Sequence, residues 1–129
     1  MNKTKIIFWG TGNFAVLILE ALSKSQFIPQ MIVTQPDKPQ KRSLLPLPPP
    51  VKKFSLTQNL KILQPAKLTE PDFIEEIISE KPDLCLIADY GKILPKAILE
   101  IPSLGFLNIH PSLLPKYRGP SPIATAILN

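Results

Sequence analysis

The sequence predicts an α/β protein built on an open parallel sheet with helices on both faces. Short apolar runs alternate with stretches of helical periodicity along most of the 129 residues. These runs lack the polar residue at every second position that a half-exposed strand shows, which is typical of parallel strands covered on both faces. The chain is long enough to bury a single core. We therefore expect one domain of the doubly wound, Rossmann-like type, in which ligands bind beyond the carboxyl ends of the strands.

Five apolar runs are expected to form the strands. The first run meets Gly10, where a tight turn is possible. The last run has two polar residues near its end, Asn108 and His110, which places polar side chains at the carboxyl end of the sheet. The predicted strands are Ile6–Trp9, Met31–Thr34, Lys61–Leu63, Leu84–Ile87 and Phe106–His110.

Three helices are predicted between the strands. Asn13 is a candidate cap for the first helix, and the second is expected over residues 51–59. The third is expected to begin with Thr69 as its cap and Pro71 in its first turn. Their spacing predicts two core-facing sets, Phe14, Leu17, Ile18, Ala21 and Leu22 in the first helix and Phe73, Ile74, Ile77 and Ile78 in the third.

Composition excludes several classes of protein. Hydrophobic residues make up 44% and charged residues 19% of the chain, as in folded globular proteins. No apolar run approaches the roughly 20 residues that cross a bilayer, and the run after Lys5 is too short for a signal peptide. With one cysteine and one histidine, the chain can form neither an internal disulfide nor a structural zinc site. We expect a cytoplasmic protein without a metal, with Cys85 as a buried strand residue.

Residues 35–50 form a segment that is too long for an ordinary strand-to-helix connection. It carries Lys38, Lys41 and Arg42 and a proline-rich stretch that is expected to be stiff and extended. Although the net charge of the chain is only +5, no acidic residue lies between Lys38 and Lys53. These cations could meet the phosphates of a nucleic acid. A solvated surface loop explains the same composition equally well.

Gly10-Thr11-Gly12 opens a GxGxxA motif between the first strand and the first helix. This is where a dinucleotide fingerprint would lie. The fingerprint also requires an acidic residue at the end of the second strand, but that strand ends in Thr34-Gln35. We therefore favour a packing role, in which glycine permits a sharp turn and close contact between strand and helix.

Asn108 and His110 are two residues apart at the carboxyl end of the last predicted strand, so their side chains are expected to share one face. A carboxamide beside an imidazole suits acyl transfer, because one group donates to a developing oxyanion and the other moves protons. A lone histidine is more often structural, and that alternative stays open on these residues alone.

Four motifs occur together in this order and resemble the methionyl-tRNA formyltransferases. They are Thr34-Gln35-Pro36-Asp37-Lys38-Pro39, Gln64-Pro65, residues 90–95 (YGKILP) and residues 110–119 (HPSLLPKYRG). The Asn-x-His-x-Ser-Leu-Leu-Pro element is similar to that of folate-dependent formyltransferases in general, including the purine-pathway and sugar enzymes. The Asp37 turn and the basic segment resemble the tRNA enzymes more narrowly.

The resemblance implies transfer of a formyl group from 10-formyltetrahydrofolate to the amino group of methionyl initiator tRNA, in translation initiation. Asn108 would bond the formyl oxygen and His110 would act on the tetrahedral intermediate. Ser112, Leu113, Leu114 and Pro115 would contact the folate, with the pocket completed by backbone around Ile93 and Leu94. Arg42, with Lys38 and Lys41 beside it, would contact the tRNA acceptor stem.

The resemblance also implies parts that residues 1–129 do not contain, namely the aspartate that completes the family's catalytic triad and a carboxyl-terminal tRNA-binding domain. We therefore expect an incomplete amino-terminal formyltransferase domain that is inactive or nearly so by itself. Gly12, Leu44-Leu45 and Asp89 depart from the family pattern. Two other interpretations stay open: a sugar or purine-pathway formyltransferase, and a non-catalytic folate- or nucleotide-binding remnant.

Overall fold

The computed structural model describes residues 3–39 and 44–111. Its centre is a five-stranded parallel sheet, beside which lies a two-stranded antiparallel ribbon. The sheet contains β1 (Ile6–Gly10), β2 (Met31–Val33), β5 (Ile62–Leu63), β6 (Leu84–Ala88) and β7 (Phe106–Asn108), and the ribbon contains β3 (Lys38–Pro39) and β4 (Pro46–Leu47). The strand order is β5-β2-β1-β6-β7. The chain first adds β2 and β5 on one side of β1 and then β6 and β7 on the other side, so the direction of connection reverses between β1 and β6. Ligands of open α/β sheets bind at such a switch point.

Helices cover both faces of the sheet. They are α1 (Asn13–Ser23), α2 (Pro50–Thr57), α3 (Pro71–Glu80) and α4 (Lys96–Leu99). Ile6 and Phe8 of β1 pack in one core with residues of α1 and α2. The alternate residues Ile7 and Trp9 pack in a second core with residues of α3 and α4. This two-sided burial confirms the predicted doubly wound α/β fold.

The buried face of α1 matches the predicted one in part, since Phe14, Ile18 and Leu22 are partly buried against the core. Ala15 and Leu19 are its fully buried residues, whereas Leu17 is 63% exposed and Ala21 is exposed. The helix is rotated because Ala15 must lie against Gly10, where a larger side chain would not fit.

The predicted helix caps also differ from those observed. Gly12 rather than Asn13 precedes α1, and Glu70 rather than Thr69 precedes α3; neither donates or accepts a side-chain capping bond. Ile78, expected in the core, is 52% exposed because α3 buries a stripe centred on Phe73 and Ile77.

The last strand is shorter than predicted. It ends at Asn108, which pairs with Ile87, rather than at His110. The neighbouring strand β6 cannot continue the ladder, because Asp89 directly after it adopts a left-handed conformation with φ of 53°. The prolines of the 35–50 segment lie partly in the β3–β4 ribbon, in which Pro39 is opposite Pro46. Within residues 3–39 and 44–111, no helix is long and apolar enough to cross a membrane.

Candidate active site

The turn between β1 and α1 lies at the switch point and depends on glycine. A Cβ atom at Gly10 would lie 2.6 Å from Cβ of Ala15 and 2.8 Å from the carbonyl oxygen of Ala88. Both contacts are closer than packed atoms allow, so only glycine lets α1 approach the sheet this closely. The packing role predicted for this glycine is confirmed.

Asp89, directly after β6, is hydrogen-bonded to the same turn. Its carbonyl oxygen accepts hydrogen bonds from the backbone N–H groups of Thr11 (2.9 Å) and Gly12 (3.4 Å). In dinucleotide-binding folds, such N–H groups face a pyrophosphate. Here the protein itself uses them, and a carboxylate lies beside them. The geometry therefore favours packing over NAD binding.

The two unusual residues Gly12 and Asp89 are in contact. A Cβ atom at position 12 would collide with the carboxylate of Asp89. Because glycine makes room for this carboxylate, the two residues form one structural feature. The carboxylate also lies near the positive end of α1, where a negative charge is favourable.

A chain of hydrogen bonds joins the carboxyl ends of four sheet strands. Gln35, after β2, donates from Nε2 to the carbonyl oxygen of Tyr90 after β6 (3.0 Å). Oγ1 of Thr11, after β1, donates to the same oxygen (2.7 Å). Nε2 of Gln64, after β5, donates to the carbonyl oxygen of Gln35 (3.1 Å) and to the carboxylate of Asp37 (2.7 Å). The motifs at residues 34–39, 64–65 and 90–95 are therefore joined to one another by hydrogen bonds.

Sequence reasoning assigned no role to Gln35, Gln64 or Thr11. A detectable signal was present, because Gln35 is a polar residue that directly follows an apolar strand and precedes a proline. Its burial could not be read from the sequence, since its partner Tyr90 lies 55 residues away.

Asp37 is held in its ionised form. It accepts from Gln64 and pairs with Nζ of Lys52 at 3.2 Å. The hydrogen bond from Gln64 and the charge of Lys52 lower the pKa of Asp37 against the opposing effect of burial. Lys52 is therefore already paired with a carboxylate, and Lys38, exposed in β3, presents its charge to solvent nearby. The predicted Lys41 and Arg42 lie outside the described residues.

A cavity of about 360 Å³ opens between the end of β7 and the 90–95 turn. Its lining includes Asn108 together with Ile93 and Leu94, so it unites three of the predicted site residues. Ile93 is 95% exposed at this cavity. With Leu94, Leu99 and Phe106 it gives the cavity an apolar wall.

Aromatic rings support the cavity from inside the core. Phe106 lines the cavity and lies against Trp9, with ring centroids 5.5 Å apart. Trp9 also makes edge contacts with Tyr90 (5.6 Å) and Phe73 (5.9 Å). Burial raises the pKa of Tyr90 to about 12, so its hydroxyl is neutral and serves packing.

His110 is exposed just beyond the end of β7, and the cavity is not lined by it. Among the described residues, no hydrogen bond or ion pair to its imidazole is found. Ser112, Leu113, Leu114 and Pro115 lie outside the described residues. The structure therefore brings Asn108, Ile93 and Leu94 together, while His110 stands at the edge of this group.

Cys85 is buried in β6, as predicted. Burial raises the pKa of its thiol to about 12, which keeps it protonated and unreactive. In the described ranges, no group of three or more histidine, cysteine or acidic residues is placed to hold a metal ion.

Comparison with known proteins gives consistent results. A family profile described as "Formyl transferase" matches residues 3–129. Relatives named methionyl-tRNA formyltransferase include those of Acetivibrio thermocellus (47% identical over 125 residues), Ruminiclostridium cellulolyticum (50% over 125) and Thermus thermophilus (46% over 124). The matches cover 96–97% of this chain but only 40% of each relative.

Solved structures share the fold at lower sequence identity. Glycinamide ribonucleotide transformylase 1 from Geobacillus kaustophilus has a TM-score of 0.62 at 18% identity, covering 97% of this chain and 67% of its own. Phosphoribosylglycinamide formyltransferase from Bacillus halodurans has a TM-score of 0.60 at 20% identity, covering 96% of this chain and 64% of its own. At these identities the similarity concerns the fold alone.

Proposed function

Because this chain belongs to the formyl transferase family, we propose that it carries the folate-binding and catalytic part of a methionyl-tRNA formyltransferase. The whole enzyme would move a formyl group from 10-formyltetrahydrofolate to the amino group of methionyl initiator tRNA, in the cytoplasm. Relatives of that name are 46–50% identical to this chain. The observation that carries the proposal is the cavity at the carboxyl edge, where Asn108 meets the 90–95 turn.

The cavity suits the ring of a folate. Its volume of about 360 Å³ lies within the range of small-molecule sites. Apolar side chains, including Ile93 and Leu94, form most of its wall, and the carboxamide of Asn108 adds a polar group at the strand end. A flat heteroaromatic ring with a polar edge requires both features.

Asn108 and His110 would divide the chemistry between them. The methionyl amino nitrogen forms a bond to the formyl carbon, and the bond from that carbon to N10 of the folate breaks. Asn108 donates a hydrogen bond to the formyl oxygen as it becomes negative. His110 takes the proton from the amino group and returns it to N10 of the departing tetrahydrofolate.

The exposed cations of the 35–50 segment would contact the tRNA. Lys38 is exposed in β3, close to Thr11 and Gln35 at the carboxyl edge, and Lys53 is exposed in α2. Lys41 and Arg42 belong to the same segment of sequence. A small amino-sugar or purine precursor has no need of several cations, so this segment favours an RNA substrate.

The isolated chain should be a poor enzyme. An imidazole works as a general base when another group fixes its orientation and stabilises its cation. Among the described residues, His110 has no such partner. We expect residues 1–129 alone to make little formylated product; product formation that is lost in His110→Ala would contradict this.

The acceptor specificity can be tested in a chimaera. Residues 1–129 would be joined to the remaining part of the Thermus thermophilus relative, which is 46% identical over the matched region. Methionyl-tRNA, glycinamide ribonucleotide and an amino-sugar nucleotide would be offered as acceptors with 10-formyltetrahydrofolate. Formylation of methionyl-tRNA, lost in His110→Ala, is the expected result. Product from either small acceptor in its place would overturn the proposal.

A further inference from the structure

We propose that Gln35 is a positioning residue, which holds the 90–95 turn against the cavity and anchors the start of the 35–50 segment. This inference rests on the proposed function, because it assigns the two linked elements to folate and to tRNA. It adds a residue for which the sequence had suggested no role.

The side chain of Gln35 bridges non-adjacent strands. Gln35 follows β2 and Tyr90 follows β6, and β1 lies between them in the sheet. Nε2 of Gln35 reaches across the end of β1 to the carbonyl oxygen of Tyr90 at 3.0 Å. Backbone pairing cannot make such a link, since the strands on either side of β1 do not touch.

The 90–95 turn is shaped to admit this amide. Gly91 has φ of +99°, and a Cβ atom on it would lie 2.6 Å from Nε2 of Gln35. Gln35 itself is only 5% exposed. A buried side chain fitted this closely to the turn restricts where the turn can move.

Stability alone does not account for a glutamine at this position. Its Oε1 atom is buried and has no hydrogen-bond partner among the described residues. A buried acceptor without a partner is unfavourable to folding, and an apolar side chain of similar length would avoid that cost. The feature that only the glutamine supplies is the bond donated to Tyr90.

That bond fixes the beginning of a wall of the cavity. The peptide of Tyr90 opens the turn whose Ile93 and Leu94 line the cavity. Oγ1 of Thr11 holds the same carbonyl, and Nζ of Lys92 bonds the carbonyl oxygen of Ala66 at 3.3 Å. Loss of the bond from Gln35 leaves Thr11 as the one side chain that holds this carbonyl among the described residues.

The backbone of Gln35 helps to hold the start of the basic 35–50 segment. Its carbonyl oxygen accepts from Gln64, and the same Gln64 amide holds Asp37 at the start of the basic segment. One residue therefore ties the base of the proposed RNA-contacting segment to the proposed folate wall. The side-chain bond can be removed without altering the backbone bond.

The test replaces the amide by a side chain of similar length. In Gln35→Met, the carbonyl ¹³C resonance of Tyr90 should shift as its hydrogen bond is lost, while the thermal midpoint changes little. The dissociation constant for 10-formyl-5,8-dideazafolate, a stable folate analogue, should rise by between about 2- and 12-fold, the equivalent of one net hydrogen bond. Gln58→Met is the matched control, because Gln58, directly after α2, is exposed and its side chain bonds only the Thr57 hydroxyl in the described structure.

Each result decides one question. An unchanged Tyr90 resonance, or a shifted resonance with wild-type affinity for the analogue, would overturn the positioning role. A shift with weakened binding in Gln35→Met, absent in Gln58→Met, would establish it. Failure of the wild-type chain itself to bind the analogue would instead overturn the folate assignment, and the positioning role with it; that failure is visible before any variant is made.

Discussion

The two ends of the central sheet carry cavities of different character. At the amino end, a cavity of about 530 Å³ lies among Ile78, Lys81, Pro82 and Ser103. The cavity at the carboxyl end is smaller, at about 360 Å³, but contains the carboxamide of Asn108. The larger cavity is not the better candidate for a catalytic site, because catalysis requires suitable side chains and not volume alone.

Long-range hydrogen bonds are found at both ends but hold different parts of the chain. At the amino end, Asp83 accepts from the backbone N–H of Lys5 (2.7 Å), a bond that fixes where two strands begin. At the carboxyl end, side chains of Thr11, Gln35 and Gln64 join elements that are far apart in sequence. The place of this cavity at the carboxyl edge, with the carboxamide of Asn108 in its wall, rather than cavity size, marks the end where ligands are expected.

The strongest test of this comparison alters one polar residue at each end. In the chimaera described above, Asn108→Ala should lower kcat/KM by about 100- to 1000-fold, because an oxyanion donor is lost. Ser103→Ala, at the amino-end cavity, should leave formylation unchanged. Steady-state formylation of methionyl-tRNA measures both. Equal losses in the two variants would end the distinction between the two cavities.

A second test compares two glycines. Gly10→Ala should reduce the free energy of unfolding by about 3 kcal/mol, because the new methyl group meets Ala15 and a backbone carbonyl. Gly105→Ala, before β7, meets no atom within 4 Å and bears only the strain of φ +85°, about 1 kcal/mol. Denaturant titration followed by Trp9 fluorescence gives both values. A smaller loss in Gly10→Ala than in Gly105→Ala would contradict the packing role of Gly10.

The charge on Asp37 gives a pH test of smaller effect. The pKa of Asp37 is lowered in the folded chain, so its ionised form stabilises the fold above its unfolded value of about 3.9. This contribution should disappear as the pH falls through the lower folded pKa. As the pH falls over that acidic range, the free energy of unfolding should decrease less in Asp37→Asn than in the wild type. Parallel pH dependences of the two unfolding free energies would show that Gln64 and Lys52 do not favour the carboxylate.

The smallest effect is expected at the amino-end cavity. Ile78→Ser should change the free energy of unfolding by no more than about 0.5 kcal/mol, because the side chain is half exposed. Ile77→Ala, one residue earlier and fully buried, should cost about 3 kcal/mol. Thermal or denaturant unfolding distinguishes the two. A large loss in Ile78→Ser would mean that this cavity is covered in solution.

Much of the fold could be predicted because its signals are local. The apolar runs that became β1, β2, β5, β6 and β7 are short stretches without polar alternation. The burial of Cys85 followed from its place in such a run. The rotation of α1 could not be predicted, because Leu17 and Ala15 satisfy the same helical spacing. Only the contact with Gly10 decides between them.

The candidate site was predictable in part for the same reason. Asn108 follows from its place at a strand end, and it does line the cavity. The end of β7 before His110 was not predictable, since it follows from the left-handed backbone of Asp89, directly after the neighbouring strand β6. The contact between Gly12 and Asp89 likewise joins residues that are distant in sequence.

The sequence by itself determined the five sheet strands, the three longer helices, the α/β class and the family resemblance, since these depend on residue order and on spacing within a few residues. The tertiary structure decided the strand order, the switch point and the chain of bonds through Gln35. Its links from Gln64 to Asp37 and from Gln35 to Tyr90 span 27 and 55 residues. Such bonds form only when folding brings separate strand ends together, and no local pattern encodes them.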